Sequence, residues 1–289
     1  MTITGNLGQI PNLTLLYQTG AFIPYWWIGE GILKAEYNKE KKGVAKEDIL
    51  HDTNRNKKRF FNQASFVIRI LQDPVEMVFK EVNLKLFKNG GFQMTGIGSE
   101  SLARYSLERF IEMNMGRDIW PEKPYIKIFQ IQMMNSDYSI GKAVRRDRLH
   151  KLLVETYGLW SSFEPTIYQG VNTKFFWNKH QTDATPPGIC VCPEPCTGSG
   201  DGYSIGACKK ITISPFRTGT VIITGARNME QLTDAYNFLN NVFRDNADFL
   251  LRDTIKEPPK KKIITGTADV LRHKIRSSPR NLFAVTPVL

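Results

Sequence analysis

FKNGGFQMTG, Phe87 to Gly96, returns 129 residues later as FRTGTVIITG, Phe216 to Gly225. Both copies keep a Phe, a basic residue, a Gly, a Thr and a Gly in the same register, and an amphipathic helical pattern follows each. A short Gly-containing connection between two β-type runs is what a tight hairpin requires. The sequence therefore predicts a duplicated unit of hairpin and helix.

The alternation of side chains assigns two faces to each predicted hairpin. Phe87 and Thr95 fall on the open face of the first copy, as do Phe216, Ile222 and Thr224 in the second. A large Phe on the exposed side of a hairpin tip is difficult to explain as core, although burial under the N-terminal section or the tail is an alternative. The residues predicted to face the helix in the first copy are Val82, Leu84, Leu86, Phe92 and Met94.

Composition bounds the class of protein. The chain has 289 residues and 41% hydrophobic content, enough for one or two sizeable cores, and the repeat favours two fused subdomains. The formal net charge of +11 points toward polyanionic partners such as nucleic acid, the alternative being a basic protein without such a partner. The aromatic stretch Phe22 to Ile28 is too short to span a bilayer and contains Pro24. We therefore expect an intracellular protein without a membrane partner.

Changes in composition divide the chain into four predicted regions. The charged stretch between residues 38 and 59 predicts a helix and an exposed loop. The tail has eight basic and three acidic residues. The regions are 1–59 (N-terminal strand, helix and charged loop of repeat one), 60–120 (hairpin and helix of repeat one), 121–252 (repeat two, with a Cys-rich insert at 179–208) and 253–289 (basic C-terminal tail).

Longer motifs resemble the TATA-box-binding protein family over about residues 9–250. KRFFNQASFVIRI, Lys58 to Ile70, and the first hairpin are similar to the first half of that family's core. SSFEPTIYQGV, Ser161 to Val171, and the second hairpin with its helix are similar to the second half. The resemblance implies an α+β fold of two pseudo-symmetric repeats. Each repeat is expected to be a curved antiparallel sheet with helices on one face, and the two together to form a saddle.

A fold of this family implies a transcription initiation factor that binds and bends promoter DNA through the minor groove. Aromatic side chains enter base steps, unstack them and kink the duplex. The implied partners are double-stranded, A·T-rich promoter DNA, general transcription factors and the RNA polymerase machinery, without a small-molecule substrate. The added Cys-rich insert looks most like the copies carried by large DNA viruses of eukaryotes. That source implies the nucleus or a viral factory, or packaging in the virion.

The resemblance also carries DNA contacts onto individual residues. Phe87 and Phe216 match the wedge at each hairpin, and Tyr168 matches the other wedge of repeat two. The remaining wedge falls on Phe60, with Phe61 and Phe66 as alternatives.

The resemblance also implies which polar residues contact the groove. Thr95 and Thr224 match the Thr of each repeat, whose hydroxyl suits the acceptor-rich floor of an A·T minor groove. The family's groove-reading Asn aligns with Met133, with Asn135 two positions away on the same face, and Asn12 is the candidate in repeat one. Polar residues replace apolar groove contacts at three positions, which puts a TATA preference in question and favours a protein-interaction scaffold as the alternative function. These positions are Lys85, Gln93 and Ser214.

The four Cys residues all fall within 19 residues of the insert. Four thiolates can hold a tetrahedral Zn²⁺, and a segment rich in Gly and Pro would gain order from it. The spacing lacks a paired C-x2-C, so reduced thiols and disulfides are alternatives. The predicted ligands of a structural Zn²⁺ are Cys190, Cys192, Cys196 and Cys208.

An enzymatic function finds little support in the sequence. The four His residues are dispersed, and no metalloprotease, nucleotide-binding or nucleophile-elbow motif accompanies them. We therefore expect a protein without catalytic activity.

Overall fold

The computed structural model describes residues 1–50, 62–182, 185–194 and 196–253. The first repeat contains six strands and two helices that belong to one compact unit, together with a further short helix, α2. In chain order these elements are β1 (Thr2–Asn6), α1 (Leu13–Thr19), β2 (Gly31–Tyr37), β3 (Glu40–Gly43), α2 (Lys46–Leu50), β4 (Gln63–Asp73), β5 (Val78–Phe87), β6 (Gly91–Thr95) and α3 (Glu100–Met113).

The second repeat follows the same plan with short additions before its first helix and at its end. Its elements are β7 (Ile128–Ser139), β8 (Ala143–Val144), α4 (Arg146–Glu155), β9 (Trp160–Ser162), β10 (Asn172–Trp177), β11 (Lys209–Pro215), β12 (Thr220–Ala226), α5 (Met229–Asp245), α6 (Ala247–Leu250) and β13 (Leu251–Arg252).

The chain divides into two units. The larger one, Met1–Ala45 with Asn56–Thr254, holds the sheet and the helices that cover it. The other comprises Lys46–Arg55 and Ile255–Leu289, and its described element is α2. The predicted basic tail lies outside the described residues apart from Asp253. No helix among the described residues combines the length and the apolar character needed to cross a bilayer.

Eleven strands form one antiparallel sheet in the order β3-β2-β4-β5-β6-β1-β7-β12-β11-β10-β9. β1 and β7 pair at its centre, and the first hairpin, β5–β6, occupies the position on one side that β11–β12 occupies on the other. The sheet is therefore pseudo-symmetric about the β1–β7 pair. This arrangement confirms the α+β fold of two pseudo-symmetric repeats that the sequence resemblance implies.

Each repeat buries its own core on the sheet face that carries the helices. In repeat one, α1 and α3 pack on the strands, and α4 and α5 do the same in repeat two. The five residues predicted to face the helix in the first hairpin are all buried. The corresponding buried residues of the second hairpin are Ile211, Ile213, Val221 and Ile223.

The central strand β7 contributes to both cores. Phe129 and Ile131 pack against the first core, whereas Met134 and Tyr138 pack against the second. β7 has one extra residue opposite the step from Thr2 to Ile3, and this bulge changes the alternation of its side chains. Both pairs consequently point to the same face, so the helices of the two repeats cover one side of the sheet and leave the other open.

One glycine of each hairpin explains the duplicated Phe-x-x-Gly motif. Gly90 and Gly219 have φ angles of +78° and +88°, which other residues adopt only with strain. A Cβ on Gly90 would lie 2.2 Å from the carbonyl oxygen of Gln9, and one on Gly219 would lie 2.1 Å from that of Lys142. The backbone thus requires glycine at both positions for conformation and for space.

One part of the first region differs from the sequence-based expectation. Part of the charged stretch forms the strand β3, which pairs with β2 at the edge of the sheet, as well as the short helix α2. Charged residues suit an edge strand because they discourage pairing with other chains. The N-terminal section also contains the helix α1, whose seven residues are too few for a clear helical pattern.

Candidate nucleic-acid interface

The open face of the sheet lies opposite the helices, and cross-strand register defines which side chains share it. Thr224 lies opposite Thr212 on one side and Asn135 on the other, and Thr95 lies opposite Asn83 and Thr2. Each Thr therefore belongs to a row of five residues that crosses the strands, which we call the central row of its repeat. The row of repeat two is Trp160, Lys174, Thr212, Thr224 and Asn135, and that of repeat one is Lys34, Val67, Asn83, Thr95 and Thr2.

A second row lies closer to each hairpin tip. In repeat two, Ile222 is half-buried and lies between Ser214 and Asp137. In repeat one, Gln93 takes the equivalent place, between Lys85 and Thr4. The open face therefore combines hydroxyl and amide groups with few apolar side chains, the composition expected for a surface that contacts polar or charged partners.

Two aromatic rings meet at the hairpin tip of repeat two. Tyr168 and Phe216 pack edge to face with 5.6 Å between ring centroids, and Tyr168 remains 41% exposed. Gly170 lies beneath them, because a Cβ there would come within 3.1 Å of both rings. The structure thus brings together the two residues that the sequence assigned as wedges of this repeat, and leaves them partly accessible at the edge of the open face.

Phe87 occupies the equivalent hairpin tip of repeat one. It is half-buried and lies opposite Gln63, beside an open cavity of about 620 Å³. Phe60 and its alternative Phe61 lie outside the described residues. The other alternative, Phe66, is buried and packs on Phe110 at 5.6 Å between ring centroids, which excludes it as a wedge.

The structure corrects the prediction for Asn12. This residue is the N-cap of α1, where its side chain accepts a hydrogen bond from the Leu15 amide at 3.0 Å. It therefore lies off the sheet, and its side chain satisfies a helix terminus. Asn135 does lie on the open face, and register makes Thr2 its counterpart in repeat one. The sequence did not reveal Thr2 because the equivalence depends on which residues pair across strands.

Three further residues of the open face were not predicted from the sequence. Trp160, Lys174 and Thr212 extend the central row of repeat two to the outer edge of the sheet. β9 has only three residues, too few to display an alternating pattern. The available signal was Lys174 alternating with the apolar residues of β10, which placed this side chain on the open face.

The four Cys residues converge in the insert. All four Sγ atoms lie within 4.8 Å of one another. The Sγ atoms of Cys190 and Cys196 are 3.3 Å apart, and those of Cys192 and Cys208 are also 3.3 Å apart. Tetrahedral Zn²⁺ with four thiolates at about 2.3 Å places the sulfurs about 3.8 Å from one another, so the cluster fits such an ion closely. The four residues are not bridged by disulfides.

The pKa values of two thiols in the cluster are shifted in opposite directions. Burial raises the pKa of the Cys208 thiol to about 12. Burial also opposes ionisation of Cys190, but hydrogen bonds from the Cys192 backbone and from neighbouring thiols lower its pKa to about 7. Four thiolates held this close would repel one another strongly, so full ionisation requires a cation among them.

The insert also makes ordinary packing contacts. Tyr203 packs on Trp177 at 5.3 Å between ring centroids, and its hydroxyl donates to Glu230 in the first turn of α5. Ile189 packs against the second core. The Cys cluster is therefore not the sole source of order in the insert, because a few apolar contacts tie it to the sheet and to α5.

Comparison with known proteins supports the family resemblance. The chain is 28% identical over 202 residues to the TATA-box-binding protein-like protein of Acanthamoeba polyphaga mimivirus, a match that covers 64% of this chain and 48% of that protein. The chain thus spans about half the length of the curated relative it matches. The predicted resemblance to the TATA-box-binding protein family, as a divergent and virus-like relative, is confirmed.

The chain was also compared with protein-family models and with solved structures. No protein-family model matches the chain. Among solved structures, the TBP of Methanococcus jannaschii aligns with a TM-score of 0.44 and 17% identity, covering 86% of this chain and 95% of that one.

Proposed function

We propose that the chain is a transcription initiation factor of the TATA-box-binding protein type, whose open face binds A·T-rich promoter DNA through the minor groove and bends it. The observation that carries the proposal is the accessible pair of Tyr168 and Phe216 at a hairpin tip, next to a row of small polar side chains. Aromatic rings at the edge of a sheet are suited to enter base steps. Bending the duplex allows it to contact more of the sheet, which offsets the unstacking cost of a few kcal/mol per step.

The central rows suit the floor of an A·T minor groove. That floor presents only acceptors, the N3 of adenine and the O2 of thymine, whereas a G·C pair adds a donor from guanine N2. Thr95, Thr224 and Asn135 carry donors and stand near the middle of the sheet. Ile222 adds an apolar contact that would meet the exocyclic amine of guanine unfavourably. We therefore infer a preference for A·T-rich sites.

The direct test is a binding titration of the full chain with A·T-rich and G·C-rich duplexes of equal length, at several salt concentrations. We expect binding that weakens steeply with salt and a modest preference for the A·T-rich duplex, because Lys85 and Gln93 replace apolar groove contacts. Equal affinity for both duplexes would refute minor-groove reading. Absence of binding at low salt would refute DNA binding altogether.

We further propose that the Cys cluster holds one structural Zn²⁺, liganded by Cys190, Cys192, Cys196 and Cys208. Four protein ligands leave no open coordination position, so the ion would order the insert and take no part in chemistry. Purified protein should contain one zinc per chain under reducing conditions. Cys192→Ser should lose the metal and expose the insert to protease, and a protein without stoichiometric zinc would refute the site.

The proposed factor works without catalysis, and general transcription factors and RNA polymerase machinery are its proposed protein partners. Its place of action would be the nucleus or a viral factory, with packaging in the virion as a further possibility to test by fractionation. Asp137 favours the second candidate function, a protein-interaction scaffold without sequence-specific DNA binding, because its carboxylate lies on the open face and would repel phosphates. The DNA titration distinguishes the two.

A further inference from the structure

A groove of about 540 Å³ runs along α5 on the helix side of repeat two. One wall is a stripe of exposed polar side chains that recur every three or four residues, so they lie on one face of the helix. The stripe consists of Glu230, Asp234, Asn237, Asn241 and Asp245. The chain that leaves β10 and begins the insert, at Asn178 and Lys179, forms another wall. We call this feature the α5 groove.

The floor of the α5 groove is apolar. It is lined by Phe175 and Trp177 of β10 and by Phe238 and Val242 of α5, all of which belong to the second core. Phe175 and Phe238 pack at 5.2 Å between ring centroids. The indole N–H of Trp177 donates to Asp234 Oδ2 at 2.6 Å and so joins the floor to the polar stripe. An apolar floor beside a polar stripe suits a side chain with an aliphatic stem and a polar head.

Three carboxylates and one ammonium line the groove, those of Glu230, Asp234, Asp245 and Lys179. Glu230 and Asp234 accept hydrogen bonds from neutral donors, and within the part of the chain that the structure describes no cation lies within 4.0 Å of either. Asp245 pairs at 3.1 Å with its neighbour Arg244, but both side chains are exposed and such a pair contributes little. The groove is therefore locally acidic in a chain whose formal net charge is +11. Charge complementarity favours a cationic occupant.

Repeat one supplies a cation of its own at the equivalent place. The N-caps of α3 and α5 are 129 residues apart, as the hairpins are. On that alignment Arg109 stands where repeat two has Phe238. Its guanidinium donates to Glu30 at 2.7 Å and to Glu112 at 2.6 Å. Repeat two thus replaces an arginine that pairs with two carboxylates by an apolar floor residue, and it leaves the carboxylates beside that residue without an arginine.

Two asparagines occupy the middle of the stripe, between the carboxylates. Asn237 and Asn241 lie in the interior of α5, where asparagine is a poor helix former, and neither side chain has a hydrogen-bond partner among the described residues. A side-chain amide carries both a donor and an acceptor, which matches the backbone of an extended peptide. From Glu230 to Asp245 the helix rises about 22 Å, the length of about seven residues of extended chain.

We propose that the α5 groove binds an extended, arginine-bearing segment of a partner protein. Arginines at the two ends of the segment pair with Glu230 and Asp234 at one end of the stripe and with Asp245 at the other, since a guanidinium matches a carboxylate in both charge and shape. The asparagines of the stripe bond the backbone of the segment, and an apolar side chain between the arginines packs on the floor. The groove lies on the helix side of the sheet, so this inference does not depend on the proposed function of the open face.

The probe is a fluorescently labelled synthetic peptide of about seven residues, with arginine at both ends, leucine in the middle and serine elsewhere. Its fluorescence anisotropy is measured with the full chain. A second peptide carries citrulline in place of both arginines, which keeps their shape and removes their charge. We expect the arginine peptide to bind with an affinity that falls with salt, and the citrulline peptide to bind about tenfold more weakly.

Substitutions in the stripe locate the site. Glu230→Gln and Asp245→Asn each remove one carboxylate from an exposed position, and each should weaken binding of the arginine peptide about two- to fivefold. Asn241→Arg places a cation of the chain's own in the stripe and should prevent binding. Glu108→Gln is the matched control, because Glu108 is the exposed counterpart of Asn237 on α3, and it should leave the affinity unchanged.

The indole N–H resonance of Trp177 supplies an independent readout, because its acceptor Asp234 belongs to the stripe. This resonance, identified by its loss in Trp177→Phe, should shift when the arginine peptide is added. Equal affinity for the two peptides, absence of binding by either, or unchanged affinity in a folded Asn241→Arg variant would overturn the α5 groove as a binding site. Failure of the chain to bind any duplex would refute the proposed function and leave the α5 groove standing.

Discussion

Removing the aromatic pair of repeat two tests the bending mechanism. The double substitution Tyr168→Ala with Phe216→Ala deletes two rings that pack on each other and are only partly buried. A fully buried Phe costs about 3–5 kcal/mol when replaced by Ala, and an aromatic pair contributes about 0.5–1.5 kcal/mol beyond its buried area. Since both rings are partly exposed, we expect the free energy of unfolding to fall by only about 2–3 kcal/mol.

The effect on DNA should be larger than the effect on folding. Without the two rings, nothing in repeat two enters and opens a base step, so the kink at that end should disappear. The assay is energy transfer between dyes at the two ends of a short duplex. It is measured at a concentration of each variant that saturates the duplex. We expect the end-to-end distance of the duplex to be longer in the variant complex than in the unmodified complex, because the kink at the end bound by repeat two is lost.

A matched control separates bending from general damage. Tyr236 is 44% exposed on α5, and its ring centroid lies 4.7 Å from that of Tyr138 on the helix side of the sheet. Tyr236→Ala should lower stability comparably and leave the bend intact. An unchanged bend in a folded Tyr168 and Phe216 double variant would refute the assignment of these rings as wedges, and so would its failure to fold, which would make them core.

Three further perturbations have defined outcomes. Gly219→Ala forces a side chain into a φ of +88° and against the Lys142 carbonyl, so urea denaturation should show a loss of at least about 1–3 kcal/mol, and equal stability would refute the requirement for glycine. Burial raises the pKa of Tyr138 to about 12 from its ordinary value of 10, so its contribution to stability is complete below pH 10 and falls as pH rises toward 12. Tyr138→Phe should therefore lessen the loss of stability between pH 10 and 11, and an unchanged pH profile would contradict this. Chelation of the proposed metal should open the segment 179–208 to protease while the rest of the sheet stays resistant, and cleavage at the same rate with and without chelator would count against it.

The parts of the fold that the sequence predicted are those with local signals. Alternation along β5 and β6 and a repeated turn motif placed Leu84, Leu86 and Met94 correctly on the buried face. The strand β3 escaped because Lys and Glu residues resemble a solvated loop, and only pairing with β2 makes them an edge strand.

The residues of the candidate site likewise differ in whether a local sequence signal predicted them. Phe216 and Tyr168 are 48 residues apart in the chain, and the family resemblance, rather than any local pattern, brought them together. Trp160 and Thr2 joined the open face only through strand register, which a single sequence does not specify. Asn12 was misplaced because the sequence of a helix cap and that of a groove contact look alike, since both use a short polar side chain.

The proposed function requires that the open face binds and bends A·T-rich duplex DNA. A single titration at controlled salt, with duplexes labelled at both ends, would compare affinity and bend for an A·T-rich and a G·C-rich site. We expect a bent complex with the A·T-rich duplex, weaker binding to the G·C-rich one, and a steep loss of binding to both with salt. A straight complex, or no complex at low salt, would contradict it.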